Sequence, residues 1–187
     1  MTTPPKPRII VITGAESTGK SHLTRELAAH FSAPWFPEYA REYLEKHPHP
    51  YTREEVIHIA RKQVAQMEQA LASGEEWYFF DTWLIITRVW MEVVYGAAPP
   101  FITEAIAASR VDLFLLCDTD LPWEPDPLRE NGGEMRNQLS EIYRSLLERA
   151  GFRYALVTGT GKTRITNALR IIGNTFGLSS GSSLQFQ

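Results

Sequence analysis

The residues best equipped for chemistry lie near the amino end, in Gly14-Ala15-Glu16-Ser17-Thr18-Gly19-Lys20-Ser21. The spacing is the full GxxxxGK[ST] pattern. Glycines let the backbone curl until successive N–H groups point into one hollow. Lys20 adds a mobile point charge for β- and γ-phosphates, and the Ser21 hydroxyl can hold Mg²⁺. Gly14, Glu16, Ser17, Thr18, Gly19, Lys20 and Ser21 are therefore the candidate ATP-binding residues. The glycines alone could make a tight strand-to-helix connection. The Lys and Ser, set between the apolar run Ile9-Ile10-Val11-Ile12 and a helical stretch, favour a phosphate loop.

Moving a γ-phosphate needs a metal ligand, a group for the acceptor, positive charge over the phosphoryl and a cover against water. Asp81 ends the apolar run Trp77-Tyr78-Phe79-Phe80, where a metal ligand or acceptor base belongs. It could equally cap the next helix, and the two roles are compatible. Glu38 and Arg41 follow a short extended piece and are candidates for binding the acceptor, or a surface ion pair. Arg129 and Arg136 flank Gly132-Gly133 and could swing over the phosphates, with Asp126 holding the acceptor. The alternative is a solvated loop. Asp81, Lys20 and Arg129 are thus the catalytic candidates, Ser21 and Asp81 the metal candidates, and Arg136 a further ATP contact. Trp35, Trp90 and Trp123 could stack on a planar base or belong to the core.

These residues must be held by alternating strands and helices. The pattern predicts strand 8–13, loop 14–20 and helix 20–31, stopped by Pro34. Residues 33–37 read as a short extended piece. His47-Pro48-His49-Pro50 reads as a solvated turn rather than a metal site, because it fixes no ligand geometry. Thr52 and Glu55 form a capping box for a helix running to Ser73. Val56, Ile59, Ala60, Val64 and Met67 recur at helical spacing along it. On that helix His58 and Gln63 read as surface or satisfied polar groups. Strands are expected at 77–81, 111–118 and 154–157, and helices at 83–95, 101–109, 134–150 and 163–175. Continuous apolar runs such as 77–81 suit a parallel sheet covered on both faces. Thr158–Thr163 fails the phosphate-loop spacing, because Leu156 stands where the first glycine is required; it reads as the turn after the last strand.

The expectation is one α/β domain over residues 1–176, a mostly parallel five-stranded sheet with helices on both faces and a lid at about 122–136. A flexible tail is expected over 177–187. The chain has 187 residues, a net charge of −3 and one cysteine, Cys117. That charge gives no whole-surface reason to expect nucleic acid or an anionic membrane. A lone cysteine fits a reducing cytoplasm. No apolar run approaches the roughly 18 residues of a membrane span.

Four blocks, in order, carry a family resemblance: Gly-Ala-Glu-Ser-Thr-Gly-Lys-Ser, Glu38-Tyr-Ala-Arg-Glu-Tyr, Asp81-Thr82, and Pro122-Trp-x-x-Asp-x-Leu-Arg129. The chain resembles the ribosylnicotinamide kinase domain of NadR-type proteins over about residues 8–175. The resemblance implies a P-loop, nucleoside-kinase-like fold. It also implies ATP-dependent phosphorylation of the 5′-hydroxyl of nicotinamide riboside. By those blocks, Lys20 and Ser21 would hold ATP and Mg²⁺, and Asp81 would face the acceptor hydroxyl. Glu38 and Arg41 would line the substrate cleft, while Asp126 and Arg129 would belong to the lid. Three blocks depart from the family. Trp83 stands where a second carboxylate is frequent, and prolines stiffen the lid. The aromatic before the Glu-Tyr block is displaced to Trp35 and Phe36. Other readings are a kinase for another nucleoside or nucleotide, or an ATPase switch that binds a protein.

Overall fold

The computed structural model describes residues 6–128 and 131–178. The order is β1 (Arg8–Thr13), α1 (Lys20–His30), β2 (Trp35–Phe36), α2 (Tyr39–Lys46), α3 (Arg53–Ser73), β3 (Trp77–Asp81), α4 (Leu84–Tyr95), α5 (Pro100–Ala107), β4 (Leu113–Cys117), α6 (Gly133–Arg149), β5 (Tyr154–Val157) and α7 (Gly161–Phe176). The strands form a sheet in the order β2-β3-β1-β4-β5, and every pairing is parallel. The expected mostly parallel sheet is thus parallel throughout, and helices cover both faces as the sequence implied.

Side chains alternate across the strands, so β1 feeds two cores. Ile9 and Val11 pack with α3, α4, α5 and α6 on one face. Ile10 and Ile12 pack with α1 and α7 on the other. Phe79 and Phe80 divide in the same way. A fully buried side chain of this size is worth about 1.5–3 kcal/mol. A one-residue slip of β1 or β3 would exchange both sets, so the register is firmly set.

The long helix α3 starts as its sequence demands. The Glu55 amide donates to Thr52 Oγ1 at 3.3 Å, and the Thr52 amide donates to Glu55 Oε2 at 2.8 Å. At its far end Gly74 takes φ 83°. Helix α2 was missed: residues 39–46 follow Pro37 and precede Pro48, and the helix buries no side chain fully. Six good helix formers and two tyrosines lie between two prolines, and the stripe Tyr39, Ala40, Tyr43 and Leu44 spans barely two turns, too short to read as a helix by itself. The expected tail begins at Gly177, which caps α7 with φ 65°; from residue 179 it lies outside the described residues.

Candidate active site

The carboxyl ends of the strands converge where the strand order reverses around β1, the usual place for ligands in open α/β sheets. Gly14 leaves β1 with φ 139°, and a Cβ there would stand 2.7 Å from the Cys117 carbonyl oxygen of β4. No other residue fits that approach. Gly19 turns the loop into α1 with φ 74°. Thr18 is buried, with its hydroxyl donating to the Ala15 carbonyl at 2.9 Å. Its side chain thus fixes the loop from within. Lys20 Nζ donates to the same carbonyl at 2.8 Å.

Asp81 lies at the end of β3, beside Ile12 of β1, and is 3% exposed. Its Oδ1 has no hydrogen-bond partner among the described residues. Burial raises its pKa; the Ser21 hydroxyl and the Lys20 charge pull it back down. Glu38 sits just before α2, in extended conformation, and is partly buried. Desolvation pushes its carboxyl up to about 7, with Lys20 opposing and Asp81 reinforcing the shift. Glu38, Asp81, Lys20 and Ser21 therefore share one electrostatic neighbourhood. The raised carboxyl of Glu38 is invisible in sequence, because it depends on enclosure by elements far apart in the chain.

Residues 121–124, 131 and 136 lie against the phosphate loop. Ser17 Oγ donates to the Pro122 carbonyl at 3.3 Å and accepts from the Glu124 amide at 3.0 Å. The Glu16 carboxylate accepts from the Asn131 amide and Nδ2, each at 3.0 Å. Glu16, expected to bind ATP, lines the cleft while its carboxylate grips Asn131. Arg136 was expected to swing over the phosphates. It is 6% exposed and donates to the carbonyls of Glu16, Ser17 and Leu121. Its position in the first turns of α6 brings it beneath the loop, where those carbonyls are the acceptors at hand. Asp126 pairs with Arg41 at 2.7 Å, joining two residues assigned to the acceptor. Arg129, placed in the lid and among the catalytic residues, lies outside the described residues.

A cleft of about 1030 Å³ runs from this loop past Glu38 and Arg41 to an apolar end with Ile86, Trp90 and Tyr51. Tyr51 meets Trp90 edge to face, with centroids 4.7 Å apart. Trp35 does not line this cleft. Edge strand β2 leaves it 38% exposed. Its register with Phe79 turns it to the α1–α7 face, while Phe36 stacks on Phe80 across the sheet. Trp123 lies against Gly132, where a Cβ would be 3.2 Å from its ring. Gln63 is satisfied as expected: its Oε1 accepts from Thr87 at 2.7 Å and its carbonyl from the Trp83 indole at 3.1 Å. On the other side of the loop, the guanidinium of buried Arg164 binds the Val157 and Gly159 carbonyls and Asp120. It ties the turn after β5 to the segment after β4. Nothing in the spacing marks that role, since Arg164 looks like any helix arginine.

A family model described as an AAA domain matches residues 9–164. The chain belongs to this family. Within it, this AAA domain is similar to the trifunctional NAD biosynthesis/regulator protein NadR of Escherichia coli (strain K12), at 27% identity over 155 residues. That match covers 80% of this chain and 38% of the relative, so the chain spans well under half of that protein's length. Its fold is that of solved NadR structures. One, in complex with NAD and AMP-PNP, superposes with a TM-score of 0.74 at 24% identity, covering 93% of this chain and 51% of the other. Another, in complex with NR, gives 0.76 at 21% identity, covering 97% and 53%. The resemblance drawn from the four sequence blocks is borne out, and with it the P-loop fold.

The residues present fit Mg²⁺. Asp81 offers an unpartnered, buried oxygen next to the Ser21 hydroxyl, both hard donors that a hard cation prefers. Among the described residues, no cluster of three His, Cys, Asp or Glu forms a metal cage. His49 Nε2 faces Glu55 at 3.4 Å, and His47 Nδ1 lies 2.8 Å from the Tyr43 carbonyl. Also among the described residues, no helix is long and apolar enough to cross a membrane.

Proposed function

We propose that this chain is an ATP-dependent small-molecule kinase that phosphorylates the 5′-hydroxyl of nicotinamide riboside to give nicotinamide mononucleotide. The observation that carries the reading is that Glu38 and Lys20 line one cleft, with buried Asp81 close enough behind them to raise the Glu38 carboxyl and feel the Lys20 charge. A phosphate loop alone would serve any nucleotide-binding protein. A carboxylate facing the cleft near its lysine, a second one buried behind, and an aromatic far end suit a second substrate. The similarity to NadR, one structure of which holds NR, supports nicotinamide riboside as that substrate.

The two carboxylates divide the work. Asp81 is buried against Ser21, and the pair would hold Mg²⁺, which neutralises charge between the β- and γ-phosphates. Glu38 faces the cleft, and a carboxyl near pH 7 is well matched to accept a proton from a hydroxyl at neutral pH. Glu38 therefore orients the acceptor hydroxyl and takes its proton, the role first assigned to Asp81. The Gly14–Ser21 amides grip the phosphates. Lys20 leaves the Ala15 carbonyl for them, and residues 121–128 and 131–136 exclude water. Tyr51, Ile86 and Trp90 receive the planar base, in place of Trp35.

The test is a nucleoside panel, including nicotinamide riboside, incubated with purified protein and radiolabelled Mg-ATP. Label should pass to nicotinamide riboside ahead of the other acceptors. Transfer to a different nucleoside alone would replace the substrate; transfer to none would end the kinase reading.

A further inference from the structure

A peptide unit is planar and trans, so the C=O of one residue points opposite to the N–H of the next. Whatever holds a carbonyl on one side of a loop therefore aims the following amide at the other side. Arg136 Nε donates to the Glu16 carbonyl and Nη2 to the Ser17 carbonyl, both at 2.9 Å. These are consecutive peptide units. Nη1 is fixed in turn on the Leu121 carbonyl at 2.8 Å.

We propose that Arg136 is a positioning residue that locks peptide units 16–17 and 17–18, so that the Ser17 and Thr18 amides face the phosphates. The proposal rests on the nucleotide-binding reading and deepens it. The lock is needed because Ser17 has φ 58°, a left-handed backbone without glycine's freedom. That conformation is unfavourable for a non-glycine residue, because its Cβ crowds the following carbonyl oxygen. Other bonds clamp the same two residues from outside: Ser17 Oγ to the 122–124 segment and the Glu16 carboxylate to Asn131. The arginine comes this near because α6 begins at Gly132 and Gly133, with Gly132 pressed on Trp123. Its charge also polarises both peptide units, making their amides stronger donors. A lysine cannot replace it, since an ammonium lacks the planar fork that spans two carbonyls.

The geometry separates a lock from a phosphate ligand. A lock shapes the loop for any nucleotide, whereas an arginine that swings to the γ-phosphate matters only when that phosphate is present. The experiment compares ADP and a non-hydrolysable ATP analogue by calorimetry, on wild type, Arg136→Lys and the exposed-helix control Arg144→Lys. Amide hydrogen exchange over residues 14–20 of the ligand-free proteins is measured alongside. Arg136→Lys should weaken both ligands by the same factor, about tenfold or more, and speed exchange at residues 17 and 18. Arg144→Lys should change neither. Weakening confined to the ATP analogue, or unchanged binding and exchange, overturns the lock. If Arg136→Lys does not fold, Arg136→Gln keeps one donor of similar reach and answers the same question. If wild type binds neither nucleotide, the nucleotide reading fails and the aim of the lock with it. Exchange unchanged by the variant would show separately that Arg136 does not hold the loop.

Discussion

Arg41 Nη2 and Asp126 Oδ2 meet at 2.7 Å, although they stand 85 positions apart in the chain. Arg41 belongs to α2, beside Glu38; Asp126 follows closely on residues 121–124. The pair therefore ties one wall of the cleft to the segment that lies against the phosphate loop. Asp126 Oδ1 also accepts the Leu128 amide at 3.0 Å, which holds the carboxylate in place for its partner.

For Asp126→Asn the effects on stability and on substrate should separate. Arg41 is 39% exposed, so the ion pair is worth at most about 1 kcal/mol and melting should barely move. Closure over the acceptor should loosen, raising its KM by up to about fivefold. High salt should produce the same rise in wild type and little further rise in the variant. Initial rates at low and high salt, with a melting curve, check this. An acceptor KM indifferent to both changes would remove the pair from the gate.

The Glu38 carboxyl titrates at about 7 in the folded chain, against 4.5 for an ordinary one. Between those values the folded chain keeps a proton that the unfolded chain has released. The stability this group contributes is full below the lower value and is lost as pH rises through the upper one. Turnover should run the other way, climbing through pH 7 as the base ionises. Because Asp81 titrates against Glu38, the rate profile reports the pair. Glu38→Gln should cut turnover roughly 10²–10⁴-fold and flatten the climb. At pH 8 it should also be more stable by about 1–2 kcal/mol, with water in the cleft limiting the gain. A variant that keeps wild-type turnover at pH 8 would leave Glu38 with no part in proton transfer.

Much of this was legible in the sequence for local reasons. The spacing of Gly14, Gly19, Lys20 and Ser21 requires no tertiary information, and the Thr52–Glu55 box announces α3 by itself. The apolar run ending in Asp81 fixes β3 because a strand buried on both faces has no polar alternation. What escaped depends on three-dimensional enclosure. Trp35 looked well placed for stacking, but one step of strand register turns it to the opposite face. Arg136 looked like a mobile lid residue, since nothing in the sequence shows that two loop carbonyls lie within its reach. Helix α2 escaped because its stripe, Tyr39, Ala40, Tyr43 and Leu44, covers barely two turns between two prolines.

Asp81→Asn tests the division of labour between the carboxylates. The substitution keeps the size of the side chain and its place beside Ser21 while removing the charge a cation needs. The Mg²⁺ concentration for half-maximal rate should rise at least about tenfold, the weight of one charged oxygen ligand. Binding of a nucleotide analogue without metal should change little. A metal titration of initial rate, with analogue binding in a chelator, separates the two. Equal loss of metal-free binding would make Asp81 a folding residue, leaving the cation to Ser21.

Two glycines with left-handed φ offer a matched test of the loop's foundation. Gly14 has φ 139° and Gly74 has φ 83°, so an alanine is strained at either. Their surroundings differ: a Cβ at Gly74 meets nothing within 4 Å, while one at Gly14 lies 2.7 Å from the Cys117 carbonyl oxygen. That oxygen cannot withdraw cheaply, because Cys117 is paired with Val157 in the sheet and the Asp118 amide bonds the Val157 carbonyl at 3.0 Å. Gly74→Ala should therefore cost about 1 kcal/mol, the strain alone, and leave nucleotide binding intact. Gly14→Ala should cost a further 1–3 kcal/mol or so, as overpacking against rigid backbone does. By pushing the start of the loop off β4 it should also abolish nucleotide binding in whatever fraction remains folded. Denaturant curves and nucleotide titrations on the two variants decide it. Equal costs would mean that the approach of Gly14 to Cys117 does not set the loop.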